Sequence, residues 1–299
     1  MNDASLLAVD PVHEKAIRAA RPDLDGAPRV VRSDGWDSLA IEVAGRVIFK
    51  FPKNEAARER LLMEPPALDF IAPHIPVRVP RMRLHERPIF FSEHDKIEGA
   101  QIDPETYERL DSATRDRLAA TLAEVYRAAH ALDVDAARAA GCVPVEVWPG
   151  VDAIRAAIAP HFEPELMAYA DTVLDAARED DGDVTVFGHF DTHGWNMAFD
   201  LESGRLDGLF DFAGSGYGGL HRDLSYPAFV HPDLVARILA RYAPGAPHPI
   251  DLDRVINTNA QLRLYDVMRA SEAERPRVVE LVREWRKTYD TWRAAPAVG

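Results

Sequence analysis

The chain has 299 residues, enough for one large domain or two lobes around a cleft, and its 47% hydrophobic and 28% charged content is ordinary for a globular protein. A net charge of −14 excludes nonspecific nucleic-acid binding, which needs a basic face, and leaves room for a cationic small-molecule partner. One cysteine, Cys142, excludes an intramolecular disulfide, and no apolar run approaches the ~18 residues of a membrane span, so a cytoplasmic monomer or dimer without a membrane partner is expected.

Asp10-Pro11 is a cap followed by a first-turn proline, and predicts a helix over residues 10–21. Val30-Val31, the alternation Leu39, Ile41, Val43, and then Val47–Phe51 predict three strands joined by turns at Ser33–Ser38 and Ala44–Arg46. Asn54 caps a helix predicted to run to about Ile71. Residues 78–84 and 88–92 read as two more strands. Beyond Gly99 the composition turns helical, with segments from Asp103-Pro104 and over 113–132, 150–158 and 164–179, then near 221–230, 232–242, 251–270 and 272–293. The expected fold is α+β and bilobal: a small N-terminal five-stranded antiparallel sheet with one helix over residues 1–97, a hinge near 92–99, and a large helical lobe over 98–299. A doubly wound fold would need strands and helices alternating throughout.

Between the later helices lies VFGHFDTHGWNMAFDLESGRLDGLFDF, residues 186–212. It reads as a strand, a polar loop, and a short hairpin that bring Asp191, Asn196 and Asp211 to one edge. Two carboxylates and a carboxamide are hard oxygen donors, and Mg²⁺ takes one or two such ligands beside substrate phosphates. Asp, Asn five residues on, and Asp-Phe after a hairpin is the spacing of protein-kinase-like phosphotransferases, where the first Asp serves as base and the Asn and second Asp hold metal. Lys50 lies on the third strand, opposite in face to Phe49 and Phe51, in a chain with 30 arginines but only five lysines. Glu64 in the next helix is its expected partner, ahead of Glu55 and Glu59, so that Lys50 is held toward nucleotide phosphates. The turn containing Ser33 would cover those phosphates with backbone N–H groups and hydroxyls.

Two patterns point elsewhere. GSGYGG, residues 214–219, matches a dinucleotide fingerprint formally but lacks the following parallel strand and acidic residue, and a flexible loop behind the metal site is expected there. His189, Asp191 and His193 alternate as zinc ligands on a strand do, although a metallohydrolase needs further ligands at matching spacing; His189 is expected instead to brace the catalytic loop.

On the motifs HFDTHGWN from His189, FDFAG from Phe210, IFKFP from Ile48 and HDKIEG from His94, the chain resembles the aminoglycoside phosphotransferase family of the choline-kinase-like and protein-kinase-like group, over roughly residues 25–295. The last two motifs look like the branch that phosphorylates the 2″-hydroxyl of aminoglycosides. The resemblance implies an ATP- or GTP-dependent, Mg²⁺-requiring transfer of the γ-phosphate to a hydroxyl of a small molecule. It implies hinge backbone contacts to the base from Ser92, Glu93 and His94, and a loop-bracing role for Asp223. Asp266, Glu272 and Glu274 are candidates for the acceptor site. The sequence departs from the family pattern at Phe190, where glycine is usual, and at Gly219-Leu220, where Asp-Pro is common. Kinases of choline, homoserine, methylthioribose or macrolide type, and a nucleotide-binding pseudokinase, are the alternatives.

Overall fold

A computed structural model describes residues 9–32, 37–178, 182–244, 246 and 248–295. Residues 33–36 of the turn expected to cover the phosphates, Ser33 among them, lie outside the described residues. The chain opens with helix α1 (Pro11–Ala20), whose cap is the Asp10 carboxylate accepting from the Val12 N–H at 2.8 Å. Strands β1 (Arg29–Arg32), β2 (Ser38–Val43) and β3 (Val47–Pro52) follow, then helix α2 (Glu55–Ile71), capped by Asn54. With β4 (Arg83–His85) and β5 (Phe91–Asp95) they complete an antiparallel sheet of order β1-β2-β3-β5-β4.

One sheet face carries Ile41, Val43, Val47, Phe49 and Phe51, which pack with Phe91 against Ala16 and Ile17 of α1. Side chains alternate along a strand, so Lys50 and Ile48 occupy the other face. Helix α2 faces both ways: Ala67, Leu68 and Ile71 in its second half join the core of the large lobe. That placement brings Glu64 to the junction between the lobes.

The large lobe contains α3 (Pro104–Arg109), α4 (Ser112–His130), α5 (Val134–Ala139), α6 (Val151–Ile158), α7 (Pro164–Arg178), β6 (Thr185–Gly188), β7 (Met197–Asp200), β8 (Arg205–Leu209), β9 (Gly216–Gly219), α8 (Leu220–Ser225), α9 (Pro232–Tyr242), α10 (Leu252–Arg269) and α11 (Arg275–Ala294). Strands β7 and β8 form a hairpin, while β6 pairs antiparallel with β9. Among the described residues, no helix is long and apolar enough to cross a membrane.

Several expected elements are corrected. The two strands placed at 78–84 and 88–92 begin later, because Arg78 is drawn to the large lobe: its N–H donates to Asp207 O at 3.1 Å and its carbonyl accepts from Leu209 N–H at 2.9 Å. Strand β5 runs to Asp95, so Ser92–Asp95 belong to the sheet rather than to a hinge loop. The helix expected near 221–230 ends at Ser225 and continues as a 3₁₀ turn, Tyr226–Phe229, in which Pro227 has no N–H to give. Helix α5 was missed altogether, although Asp133 caps it. The GSGYGG stretch, expected as a flexible loop, ends a 3₁₀ turn at Gly214 and continues as strand β9 over Gly216–Gly219. Its glycines admit a close neighbour: a Cβ on Gly216 would stand 2.2 Å from the Val143 carbonyl oxygen.

Candidate active site

Lys50 projects from the polar face of β3 and is nearly buried. Its Nζ lies 3.3 Å from Glu64 Oε1 and 3.2 Å from Asp211 Oδ1. Burial alone would lower the Lys50 pKa, but the Asp211 and Glu64 carboxylates outweigh it and raise it, so the ammonium is held charged. Glu64 is fully buried, and burial raises its pKa against the pull of Lys50. Its Oε1 also accepts the Phe212 N–H at 2.9 Å, tying α2 to the residue after Asp211. Glu55 and Glu59, the rival partners, are exposed on the first turns of the helix.

Asp211 follows β8 in a left-handed conformation, φ 65°, which turns its carboxylate away from the strand. The charge of Lys50 is the main cause of its lowered pKa. Asn196 ends the 3₁₀ turn Gly194–Asn196, and its Nδ2 donates to both Asp191 O (2.9 Å) and Asp191 Oδ2 (2.8 Å). This leaves the Asn196 Oδ1 as its oxygen donor. A half-exposed carboxylate and a carboxamide oxygen fit a Mg²⁺ ion completed by phosphates and water.

Asp191 is partly exposed. Its Oδ1 lies 3.2 Å from His193 Nε2. Burial pushes the His193 pKa down, but Asp191 more than compensates and the net shift is upward. A Cβ on Gly214, three residues past Asp211, would stand 3.8 Å from the Asp191 Cβ, so the segment after Asp211 runs beside Asp191. Trp195, on the same turn, is 42% exposed, and its ring stands edge-on to His193 with centroids 5.4 Å apart. Gln101 fixes the turn through a 2.8 Å bond to the Trp195 carbonyl.

The loop is braced from beneath. Asp223, fully buried, accepts the Phe190 N–H at 2.6 Å on Oδ1, and on Oδ2 faces His130 Nε2 at 2.9 Å. His189 Nε2 bonds the Phe210 carbonyl at 3.2 Å, and burial lowers its pKa, so it is a neutral strut between the loop and the Asp211 segment. Phe190 explains its own oddity: φ is 56°, a conformation glycine adopts freely, and the ring is buried in the apolar cluster that includes Leu264 and Val267. Its ring tip would touch a Cβ on Gly218.

Thus Lys50, Glu64 and Asp211 meet at one point, and Asp191 and Asn196 at a neighbouring one. Ser92, Glu93 and His94 lie in β5, with Ser92 and Glu93 between β3 and β4. Of the acceptor candidates, Asp266 is partly buried and pairs with Arg269 at 2.8 Å. Glu272 and Glu274 are exposed, and Glu274 caps Ser271. The His193 contact, the Trp195 exposure and the His130 brace escaped the sequence reading. His193 had been visible only as part of a zinc-like alternation, and among the described residues no group of three or more His, Cys, Asp or Glu side chains is placed to hold a metal.

A lysine on a small sheet, a helix glutamate, and a loop Asp–Asn with a second Asp across a lobe junction define a phosphotransferase of the protein-kinase-like type. The model of the phosphotransferase enzyme family (APH) matches residues 30–254, and the chain belongs to that family. In fold it is similar to the GDP complex of wild-type aminoglycoside 2'-phosphotransferase-IIIa, at TM-score 0.80 and 19% identity over 94% of this chain and 100% of that one. It is also similar to the GDP and kanamycin complex of APH(2")-IIIa, at TM-score 0.78 and 20% identity over 92% and 99% of the two chains. The macrolide 2'-phosphotransferase MphH from Brachybacterium faecium gives TM-score 0.66 and 20% identity over 90% and 98%. Identities this low establish the fold and do not single out a branch of the family. None of the curated proteins matches the chain in sequence.

Proposed function

We propose that the chain is a small-molecule kinase that transfers the γ-phosphate of ATP or GTP to a hydroxyl of a small acceptor. The observation that carries this reading is the contact of Lys50 with both Glu64 and Asp211, beside the Asp191–Asn196 pair. The N-terminal lobe, residues 1–97, receives the nucleotide, and residues 98–299 supply the catalytic loop and the acceptor site. Lys50, fixed by Glu64, neutralises the phosphates. Ser92, Glu93 and His94 stand where β5 leads into the lobe connection, against the base. Asn196 Oδ1 and Asp211 hold Mg²⁺, which screens phosphate charge when bound. Asp191 orients the acceptor hydroxyl and takes its proton, and Asn196 and His193 fix the carboxylate for that task. Such a site works by positioning and charge stabilisation.

Similarity to kanamycin-binding and other aminoglycoside-modifying structures supports an aminoglycoside-like, cationic acceptor, and the net charge of −14 is compatible with one. One observation favours the second reading, a kinase of another alcohol such as a macrolide: Asp266, an acceptor-site candidate carboxylate, is already paired with Arg269 at 2.8 Å. A pseudokinase is disfavoured because every charged group of the site is present and engaged.

Thermal stability with Mg·ATP or Mg·GTP, and then with kanamycin or erythromycin added, tests both halves, since a ligand of the folded state raises stability by mass action. Asp191→Ala should cut turnover by about 10²–10⁴-fold with nucleotide affinity kept. Near-normal turnover in that variant would refute the assignment. Asp211→Ala should weaken Mg·nucleotide binding, and unchanged affinity would count against its metal role.

A further inference from the structure

The side chain of Trp195 has no role in the scheme above, yet it lies in the same turn as Asn196. The backbone there is pinned. The Gly194 carbonyl accepts the Ile102 N–H at 3.0 Å, and the Trp195 carbonyl accepts from Gln101 at 2.8 Å. A Cβ on Gly194 would overlap the Ile102 carbonyl oxygen, so the turn has no room to shift that way. The indole on this fixed turn is 42% exposed. A lone exposed apolar side chain is ordinary on a protein surface, and only its surroundings give it meaning.

Those surroundings are the two oxygens of Asp191. Asn196 engages Oδ2 at 2.8 Å, and His193 Nε2 lies 3.2 Å from Oδ1. The Trp195 ring stands against His193 with centroids 5.4 Å apart, so indole and carboxylate are within ~10 Å of each other, the span of one small molecule. Trp195 is thus on the side of the oxygen that Asn196, the proposed metal ligand, does not engage.

The two rings meet at 76°, so His193 covers at most one face of the indole. Elsewhere the chain lays its own cations on tryptophan. The Arg222 guanidinium is 4.2 Å from the Trp148 ring, and that of Arg263 is 4.4 Å from the Trp285 ring. Among the described residues no arginine or lysine lies over Trp195. Of the aromatic side chains, tryptophan attracts a cation to its face most strongly. The Asp191 carboxylate, 35% exposed, adds open negative charge beside it.

We propose that Trp195 is a specificity-determining residue that takes an ammonium group of the acceptor on its open indole face. The inference rests on the phosphotransferase reading above and narrows its acceptor to amino-alcohols whose cation lies near the hydroxyl presented to Asp191. Aminoglycosides and the amino sugar of a macrolide both qualify. A neutral sugar such as methylthioribose does not. A ring that meets the cation also fits an Asp266 already paired with Arg269.

Indole N–H signals of the nitrogen-15-labelled whole protein test it. The Trp195 signal is identified by its loss in Trp195→Phe or Trp195→Tyr. With Mg·ADP present, choline, its neutral carbon isostere dimethylbutanol, and kanamycin are titrated in turn. The Trp195 signal of the wild type should move with choline and with kanamycin, and choline should bind at least about threefold more tightly than the neutral isostere. Trp195→Leu should weaken kanamycin binding about three- to tenfold, and Trp195→Phe, which keeps a π face, by less. A Trp195 signal that neither cation moves overturns the inference, and so does an isostere that binds as tightly as choline. The same spectra read the addition of Mg·ADP. If Mg·ADP binds and Trp195 ignores both cations, the acceptor inference alone falls. If the folded wild type does not bind Mg·ADP, the phosphotransferase reading falls and takes the inference with it.

Discussion

The brace beneath the Asp191 loop makes a demanding prediction. Asp223 satisfies two buried donors at once, the Phe190 N–H at 2.6 Å and His130 Nε2 at 2.9 Å, and His130 Nδ1 is engaged in turn by the Tyr242 hydroxyl at 2.8 Å. Replacing Asp223 by Ala strands both donors. Each orphan costs ~1–3 kcal/mol, so a destabilisation of about 4 kcal/mol is expected, a large share of the whole stability of an ordinary protein. Asp223→Asn should be far milder, about 1 kcal/mol, the net worth of a typical hydrogen bond. Its carboxamide oxygen still accepts from Phe190. Its amide donates to His130 Nε2 once the imidazole proton moves to Nδ1, where the Tyr242 oxygen accepts it. Guanidinium denaturation of the three proteins gives both numbers, with circular dichroism checking that each begins folded. An Asp223→Ala variant within 1 kcal/mol of wild type would refute the brace. An Asn variant as unstable as the Ala variant would show that charge, not hydrogen bonding, is what the site needs.

Gly188→Ala tests the same brace sterically: its Cβ would stand 2.1 Å from Asp223 Oδ2, and the melting temperature should fall about as far as for Asp223→Ala. Phe190→Gly relieves ~1–2 kcal/mol of left-handed strain but forfeits the burial of a phenyl ring, worth ~3–5 kcal/mol, so the variant should be less stable by ~1–4 kcal/mol. A more stable glycine variant would contradict the packing described for that ring. The His94 pKa of about 4 has a stability consequence. The unfolded residue titrates near 6.5, so between roughly pH 6.5 and 4 the unfolded state binds a proton that the folded state refuses. Stability contributed by the neutral ring is therefore lost as pH falls through that window, by up to ~3 kcal/mol, and His94→Leu should flatten this part of a pH–stability curve. An identical acid limb in wild type and variant would argue that the ring is not held neutral.

The bilobal fold was legible in the sequence because local signals carried it. Asp10, Asn54, Asp103 and Asp251 announced helix starts, and the alternation around Val47–Phe51 fixed which face Lys50 takes. The spacing of Asp191, Asn196 and Asp211 marked the candidate site because a short loop and hairpin can return three side chains to one edge without help from distant residues. Where pairing is non-local, the sequence was silent or misleading. GSGYGG has the composition of a loop, and only the partner β6 and the closely passing Val143 carbonyl make its last four residues a strand. Phe190 looked like a departure from the family pattern. Its positive φ and buried ring show that tertiary packing can hold a bulky residue where glycine is the local preference. The sequence determined the identity and order of the chemical groups, since spacing along the chain suffices for that. Tertiary structure alone decided that Lys50 answers to two carboxylates rather than one, that His193 leans on Asp191, and that Asp223 and His130 hold the loop from below. Each of those contacts joins side chains on separate elements, and no periodicity along the chain encodes it.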